Sequence, residues 1–394
     1  HQEVIGRAVG AAREHGGLAG VLTFDPYPLR VLAPDKAPKR LLASLDHKAR
    51  ILEPLGVDFL LALPFDRERA QVEAEDFVRE LVEAGTRTIS AGEDWRFGHR
   101  RAGDRDLLRR LADEAGFCFE AVAPVMVGSA MAAVHNSFAL IPAMAALAVA
   151  LLLQIGVNLA NDYFDFIKGV DSDDRLGPLR VTQSGLIPPA RVRAAMSITL
   201  GLAGLPGLYL LYVGGWPVLV IGAASILAAL AYSGGPYPLA SNALGDLFVF
   251  IFFGLVAVCG TYYVQTLRLS ATVVLIGADV GLLITAILVV NNLRDIATDR
   301  RSGKRTLAVR LGASGTKLEF SLLLAGAYCG PLVFWICGVF SVWVLLPFIS
   351  APLAWRLIRT IGRTSDGPRL NHTLASTAKL AFLFSLLLAI GIIA

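Results

Sequence analysis

Residues 138–171 read FALIPAMAALAVALLLQIGVNLANDYFDFIKGVD. The first 23 positions hold no charge, and then Asp162, Asp165 and Asp171 follow within ten residues. An apolar helix of about 20 residues crosses some 30 Å of hydrocarbon. The stretch therefore reads as a membrane span that ends in carboxylates. A second stretch repeats the arrangement, with an apolar run near 271–292 closing on Asn291, Asn292, Arg294, Asp295 and Asp299.

Outward from these two, further apolar runs lie near 121–135, 192–213, 216–233, 245–265, 318–338, 340–358 and 376–394, which makes nine candidate spans. The first is the shortest, with 14 apolar positions from Ala121 to Val134. Hydrophobic residues make up 55% of the chain, charged residues 17%, and mean hydropathy is +0.60. That composition excludes a disordered or fibrous chain. It also hides a step. Residues 1–127 carry 18 Lys/Arg and 21 Asp/Glu, whereas 128–394 carry 18 and 11 over twice the length. A soluble segment is joined to a membrane bundle, so the net charge of +4 is no sign of a nucleic-acid partner. Cys118, Cys259, Cys329 and Cys337 form no C-x-x-C pair, which argues against a zinc or disulfide scaffold. The chain opens on His1 and not Met, so its true start is expected upstream.

Basic residues set the orientation. The segments after spans 2, 6 and 8 carry Lys168 to Arg193, Arg294 to Lys317 and Arg356 to Arg369, while the opposite connections carry only Arg268. The positive-inside rule then places the basic face in the cytoplasm, with the N-terminal segment. Of the eleven acidic residues after 127, seven fall in the two clusters on that same face. In each cluster an Asn stands four residues before an Asp (161/165 and 291/295), and Asp295/Asp299 repeats the spacing, so these side chains share helix faces. Ionisable groups at such depth are costly and mark function. Carboxylates hold Mg²⁺ while leaving positions for substrate phosphates, and cationic side chains neutralise the remaining phosphate charge. Lys168, Arg180, Arg294, Lys304 and Arg305 are placed for that task. The reading is a Mg²⁺–diphosphate site at the cytoplasmic mouth of a helical bundle, with an apolar tail between the helices. An ion path is the rival reading, but both clusters sit at one face and not at the midplane. The glycines within Gly201–Gly207 are expected to permit close helix packing.

The strings NLANDYFDFIKGVD (158–171), RLGPLRVTQSGLI (175–187), AYSGGPYPLA (231–240), LGDLFVFIFFGLVAVCGTYYVQT (244–266) and VVNNLRDIATDRRSGKRTLAVRLG (289–312) resemble the UbiA superfamily of intramembrane aromatic prenyltransferases, and within it the dihydroxynaphthoate branch. The resemblance implies transfer of a polyprenyl group from polyprenyl diphosphate to 1,4-dihydroxy-2-naphthoate, with loss of diphosphate and CO₂, in a bacterial inner membrane. It implies Mg²⁺ on Asp162, Asp165, Asp171, Asp295 and Asp299, with Asn161 and Asn291 orienting these ligands or binding diphosphate. By the same resemblance Arg180, Lys304 and Arg305 grip the diphosphate, and Tyr232, Tyr237 and Asp246 approach the aromatic acceptor.

Residues 1–120 alternate helical patterns (2–15, 46–54, 73–84, 104–115) with strand-like runs (19–24, 57–64, 86–91, 117–123), which predicts a parallel α/β sheet. VLTFDPYPLRVLAPDKAPKRL (21–41), LGVDFLLALPFDRERA (55–70) and AGEDWRFGHRRAGD (91–104) resemble the FMN adenylyltransferase domain of bacterial riboflavin kinase/FAD synthetase. That resemblance implies a Rossmann-like nucleotidyltransferase fold. The family's first strand and H-x-G-H motif would precede residue 1, and its Ser/Thr-rich ATP-binding string is absent after the last run. The expectation is thus a mainly α, multi-span transmembrane bundle of up to nine helices over 124–394, preceded by an incomplete α/β domain over 1–123. Other aromatic acceptors, or a fusion that keeps adenylyltransferase activity, are the alternatives.

Overall fold

A computed structural model of the chain describes residues 2–14, 16–38, 43–86, 88–92, 95–169, 182–183, 187–364 and 367–394. The chain divides into two compact units, His1–Ala112 and Asp113–Ala394.

The first unit holds α1 (Gln2–Glu14), β1 (Gly20–Asp25), α2 (Pro28–Leu32), α3 (Leu45–Leu52), β2 (Phe59–Pro64) and α4 (Ala74–Glu83). The two strands pair in parallel, from Gly20 opposite Phe59 to Asp25 opposite Pro64, so the chain must cross over between them. Ala74, Phe77, Val78, Phe97 and Leu107 form a small core, and Trp95 stacks on Phe97 with ring centroids 4.4 Å apart. Arg13 donates to Asp58 at 2.9 Å and the Ala19 N–H donates to the other carboxylate oxygen at 2.7 Å. Both bonds hold the Asp58 carboxyl below its ordinary range, the guanidinium most of all.

Two of the four expected strands do not form. The described residues of 86–91 are not a strand, and 117–123 lies inside α5 (Arg105–Val134). For 117–123 the reason is physical. Without a neighbouring strand, an apolar run can still satisfy its own backbone as a helix, and short apolar runs carry no periodicity that tells the two apart.

The second unit begins within α5 and continues through α6 (Leu140–Ile167), α7 (Pro189–Gly214), α8 (Trp216–Ser233), α9 (Gly245–Thr266), α10 (Ala271–Arg301), α11 (Leu307–Ile336), α12 (Val342–Arg363) and α13 (Gly367–Ile393). Among the described residues, eight helices are long and apolar enough to cross a membrane, and Glu120–Val134 forms a shorter apolar one. The expected first span is therefore the short one. α10 is the most buried span, packed against α9, α11 and α13 through Ile276, Leu283, Phe320, Leu324, Phe384 and Leu388.

Close approach at the α9–α10 crossing rests on glycine. A Cβ on Gly254 would stand 2.4 Å from Cα of Gly281 and 2.8 Å from the Gly277 carbonyl oxygen, and Gly254 sits in the π-helical stretch Phe250–Val256. Small residues at such a crossing let helix backbones meet without a hydrophobic driving force. The α7 glycines differ from expectation: nothing lies within 4 Å of the Cβ position of Gly201, Gly204 or Gly207. They make no tight packing; they face open space. For Gly254→Ala we expect a loss of about 1–3 kcal/mol, as for other overpacked cores, read as a lowered thermal unfolding midpoint in detergent micelles. An unchanged midpoint would contradict the close approach.

Candidate functional site

α6 and α10 bring the two sequence motifs to one cavity of about 1400 Å³. Asn161, Asp162 and Asp165 reach it from the end of α6, and Asn291, Asp295 and Asp299 from the end of α10. Tyr232 and Ser233 of α8 and Lys304 beyond α10 complete the polar end. The remaining walls are apolar, with Ile155, Leu208, Ile226, Phe252 and Val256 among them, and include Gly201, Gly204 and Gly207. The glycines leave room where side chains would otherwise stand.

Asp162, Asp165 and Asp295 have identified neighbours. Thr182 Oγ1 donates to Asp162 at 3.0 Å, and Ser233 Oγ donates to the Asn161 carbonyl at 2.7 Å. Lys304 Nζ lies 3.3 Å from Asp165. Asp295 is held by Arg294, whose Nε and Nη2 donate to its two oxygens at 2.8 and 2.7 Å. The same guanidinium donates to Asn291 at 2.8 Å and to Asn371 at 2.7 Å, and its side chain is 2% exposed. Paired, planar donors of this kind give a carboxylate a fixed orientation. Arg294 does not line the cavity; it orients two residues that do.

The other expected site residues are placed as follows. Lys168 donates to the Ser233 and Gly235 carbonyls at 2.6 and 3.1 Å, tying the end of α6 to the end of α8. Burial pulls its ammonium below the ordinary lysine range, against the opposing pull of Asp165. Arg305 and Tyr237 are exposed, and Asp246 is buried in the first turn of α9; none of the three lines the cavity. Asp171 and Arg180 lie outside the described residues.

Several residues of the site carry no sequence motif. Thr182 and Ser233 were not anticipated, and neither were Gln154 and Asn158 on α6. Yet 154, 158, 161 and 165 fall at i, i+4, i+7 and i+11, one face of a helix. That spacing was the available signal: a polar stripe along an otherwise apolar span.

Among the described residues, no three His, Cys, Asp or Glu side chains stand close enough to form a ready metal cluster. The donor set still suits a hard cation. Mg²⁺ takes oxygen ligands, keeps several waters and needs only one or two carboxylates besides substrate phosphates. Asp162, Asp165, Asp295 and Asp299 supply such oxygens around one cavity.

A carboxylate-lined mouth over an apolar cavity in a helical membrane bundle defines an intramembrane enzyme site. Residues 121–389 match the UbiA prenyltransferase family, and residues 1–133 match FAD synthetase. The chain is 39% identical over 278 residues to the 1,4-dihydroxy-2-naphthoate octaprenyltransferase of Escherichia coli, covering 69% of this chain and 90% of that protein. It is 41% identical over 269 residues to the protein of the same name from Mycobacterium tuberculosis, covering 68% and 91%. The solved structure of a UbiA homolog from Aeropyrum pernix K1 shares the fold, with a TM-score of 0.53 at 15% identity over 70% of this chain and 96% of that one. The chain belongs to the UbiA prenyltransferase family, and it is a membrane-bound prenyltransferase.

Removing the Arg294 guanidinium leaves Asp295 buried without its counter-charge, which costs about 3–5 kcal/mol in comparable pairs. We expect Arg294→Met to lower the unfolding midpoint strongly. Arg305→Gln, at an exposed position, should stay within about 0.5 kcal/mol of the parent. Equal midpoints for the two variants would remove Arg294 from its positioning role.

Proposed function

We propose that this chain transfers a polyprenyl group from polyprenyl diphosphate to 1,4-dihydroxy-2-naphthoate, releasing diphosphate and CO₂ and giving a demethylmenaquinol. The observation that carries the reading is the meeting of both Asn/Asp motifs at the polar end of one largely apolar cavity. The names of the relatives from Escherichia coli and Mycobacterium tuberculosis support the choice of acceptor.

Asp162, Asp165, Asp171, Asp295 and Asp299 are the residues that would hold Mg²⁺. The bound ion supplies charge neutralisation to the departing diphosphate. Lys304, beside Asp165, adds a cation at the same end of the cavity, and Arg180 is assigned the same role. Asn161 and Asn291, fixed by Ser233 and Arg294, keep their amides toward the diphosphate. Such preorganised charges act where charge develops in the transition state. The allylic C–O bond breaks with its electron pair leaving on diphosphate. The electron-rich ring carbon that bears the carboxylate then forms the new C–C bond, and loss of CO₂ restores the aromatic ring. Tyr232, the residue of the three acceptor candidates that lines the cavity, faces that step. Apolar walls exclude water from the allylic cation. The distribution of basic residues supports a cytoplasmic acidic mouth, and the bacterial relatives support a bacterial inner membrane. The reaction belongs to residues 124–394, and residues 1–123 form the FAD-synthetase-like domain.

Purified protein in lipid, given polyprenyl diphosphate, 1,4-dihydroxy-2-naphthoate and Mg²⁺, should release CO₂ and a lipid-soluble quinol. Asp165→Ala and Asp295→Ala should each lower kcat by about 10²–10³, the usual loss for an electrostatic stabiliser. Chelation should abolish turnover and added Mg²⁺ restore it. Product formed from 4-hydroxybenzoate alone would move the enzyme to another acceptor; full activity in both variants would overturn the assignment of the carboxylates.

A further inference from the structure

A second cavity, of about 460 Å³, opens at the end of the bundle opposite the acidic motifs. It lies where the α5–α6 connection, with His135 and Ser137, meets the end of α9 and the α9–α10 connection, Thr266 to Ser270. Gln265 ties the two connections together, accepting from the Ala139 N–H at 3.2 Å and donating to Ser129 of α5 at 3.1 Å. Among the described residues no carboxylate lines this cavity, whereas Arg268 does. Arg268 is also the one basic residue in the connections of that face. The positive-inside bias works against a cation there, and prenyl transfer takes place at the other end. Neither accounts for this guanidinium.

Donors converge beside it. The Met131 carbonyl can only accept, so His135 Nδ1, 3.0 Å away, carries the proton of that bond. The Tyr262 hydroxyl, 3.2 Å from the same nitrogen, then cannot donate to it and has its own proton to give elsewhere. Ser270 Oγ accepts from the Val273 N–H at the start of α10, which leaves its hydroxyl proton to donate as well. Thr266 fixes the turn that carries the cation: its hydroxyl donates to the Tyr262 carbonyl at 3.0 Å and accepts from the Arg268 N–H at 3.2 Å. A guanidinium and two hydroxyl donors around a carboxylate-free hollow suit phosphate oxygens. Apolar residues stand around it: Leu269 lines the cavity, and Phe138, Leu140 and Leu267 are exposed in or beside the same two connections.

We propose that this cavity binds the phosphate of an anionic phospholipid, from the leaflet opposite the acidic mouth. Arg268, Tyr262 and Ser270 take the phosphate oxygens, and the acyl chains cover the exposed leucines and Phe138. A free phosphate would leave those apolar residues bare. A zwitterionic headgroup is disfavoured, because its ammonium would find no carboxylate among the residues that line the cavity.

The test titrates the detergent-purified full chain with phosphatidylglycerol, phosphatidylethanolamine or inorganic phosphate and counts bound lipid by native mass spectrometry. The parent should hold one phosphatidylglycerol more tightly than phosphatidylethanolamine. Arg268→Gln should weaken that binding about tenfold, the scale of one hydrogen bond to a charged group. Tyr262→Phe should weaken it severalfold. Arg359→Gln, at an exposed arginine of α12, should match the parent and controls for lipid held elsewhere. Arg268 and Arg359 are both exposed, so neither substitution disturbs the core. Unchanged binding in Arg268→Gln, or equal losses in Arg268→Gln and Arg359→Gln, overturns the site. Inorganic phosphate that displaces phosphatidylglycerol at equal concentration assigns the cavity to a free anion and overturns the lipid.

Discussion

Carboxylates at the end of a membrane helix must be compensated, because a charge removed from water costs several kcal/mol unless it is paired. In this bundle the compensation at Asp295 comes from the residue before it. Arg294 turns its guanidinium onto both oxygens of its neighbour and reaches Asn291 and Asn371 with what remains. The second motif is thereby fixed as a unit, in which one cation orients an amide, a carboxylate and the start of α13. The first motif is held by hydroxyls, Thr182 on Asp162 and Ser233 on Asn161, with one lysine at Asp165. In the second motif the counter-charge to Asp295 comes from its own helix, whereas those three partners of the first motif come from outside its helix.

The difference matters for the cavity. Groups that face an incoming anion must keep charge available, while groups behind them must not move. Arg294 sits behind and Lys304 in front, although both are basic residues near the same motif. Their order in the chain does not distinguish them; their burial does.

Much of this was legible in the sequence. The Asn/Asp spacing at 161/165 and 291/295 announced two helix ends with common chemistry, and the apolar runs announced the spans, the short first one included. What the sequence withheld falls into three kinds. Partners far apart in the chain, such as Ser233 on Asn161, have no local signature. Direction was hidden too: Arg294 looked like a phosphate ligand because its charge was visible and its orientation was not. Weak patterns misled in both directions. The runs at 86–91 and 117–123 resembled strands by composition alone, and Gly201, Gly204 and Gly207 suggested tight packing where the bundle leaves space. Gln154 and Asn158 were readable from the 3.6-residue period, but isolated amides within an apolar span do not draw notice.

Both family matches include residues 121–133, and all of these lie within α5. A helix carries its backbone hydrogen bonds within itself, whereas a strand must borrow them from a neighbour. As a helix, this segment asks nothing of whatever chain is spliced before it. The front of the bundle is thus a seam where the two matches meet inside one helix, with no open sheet edge at the join.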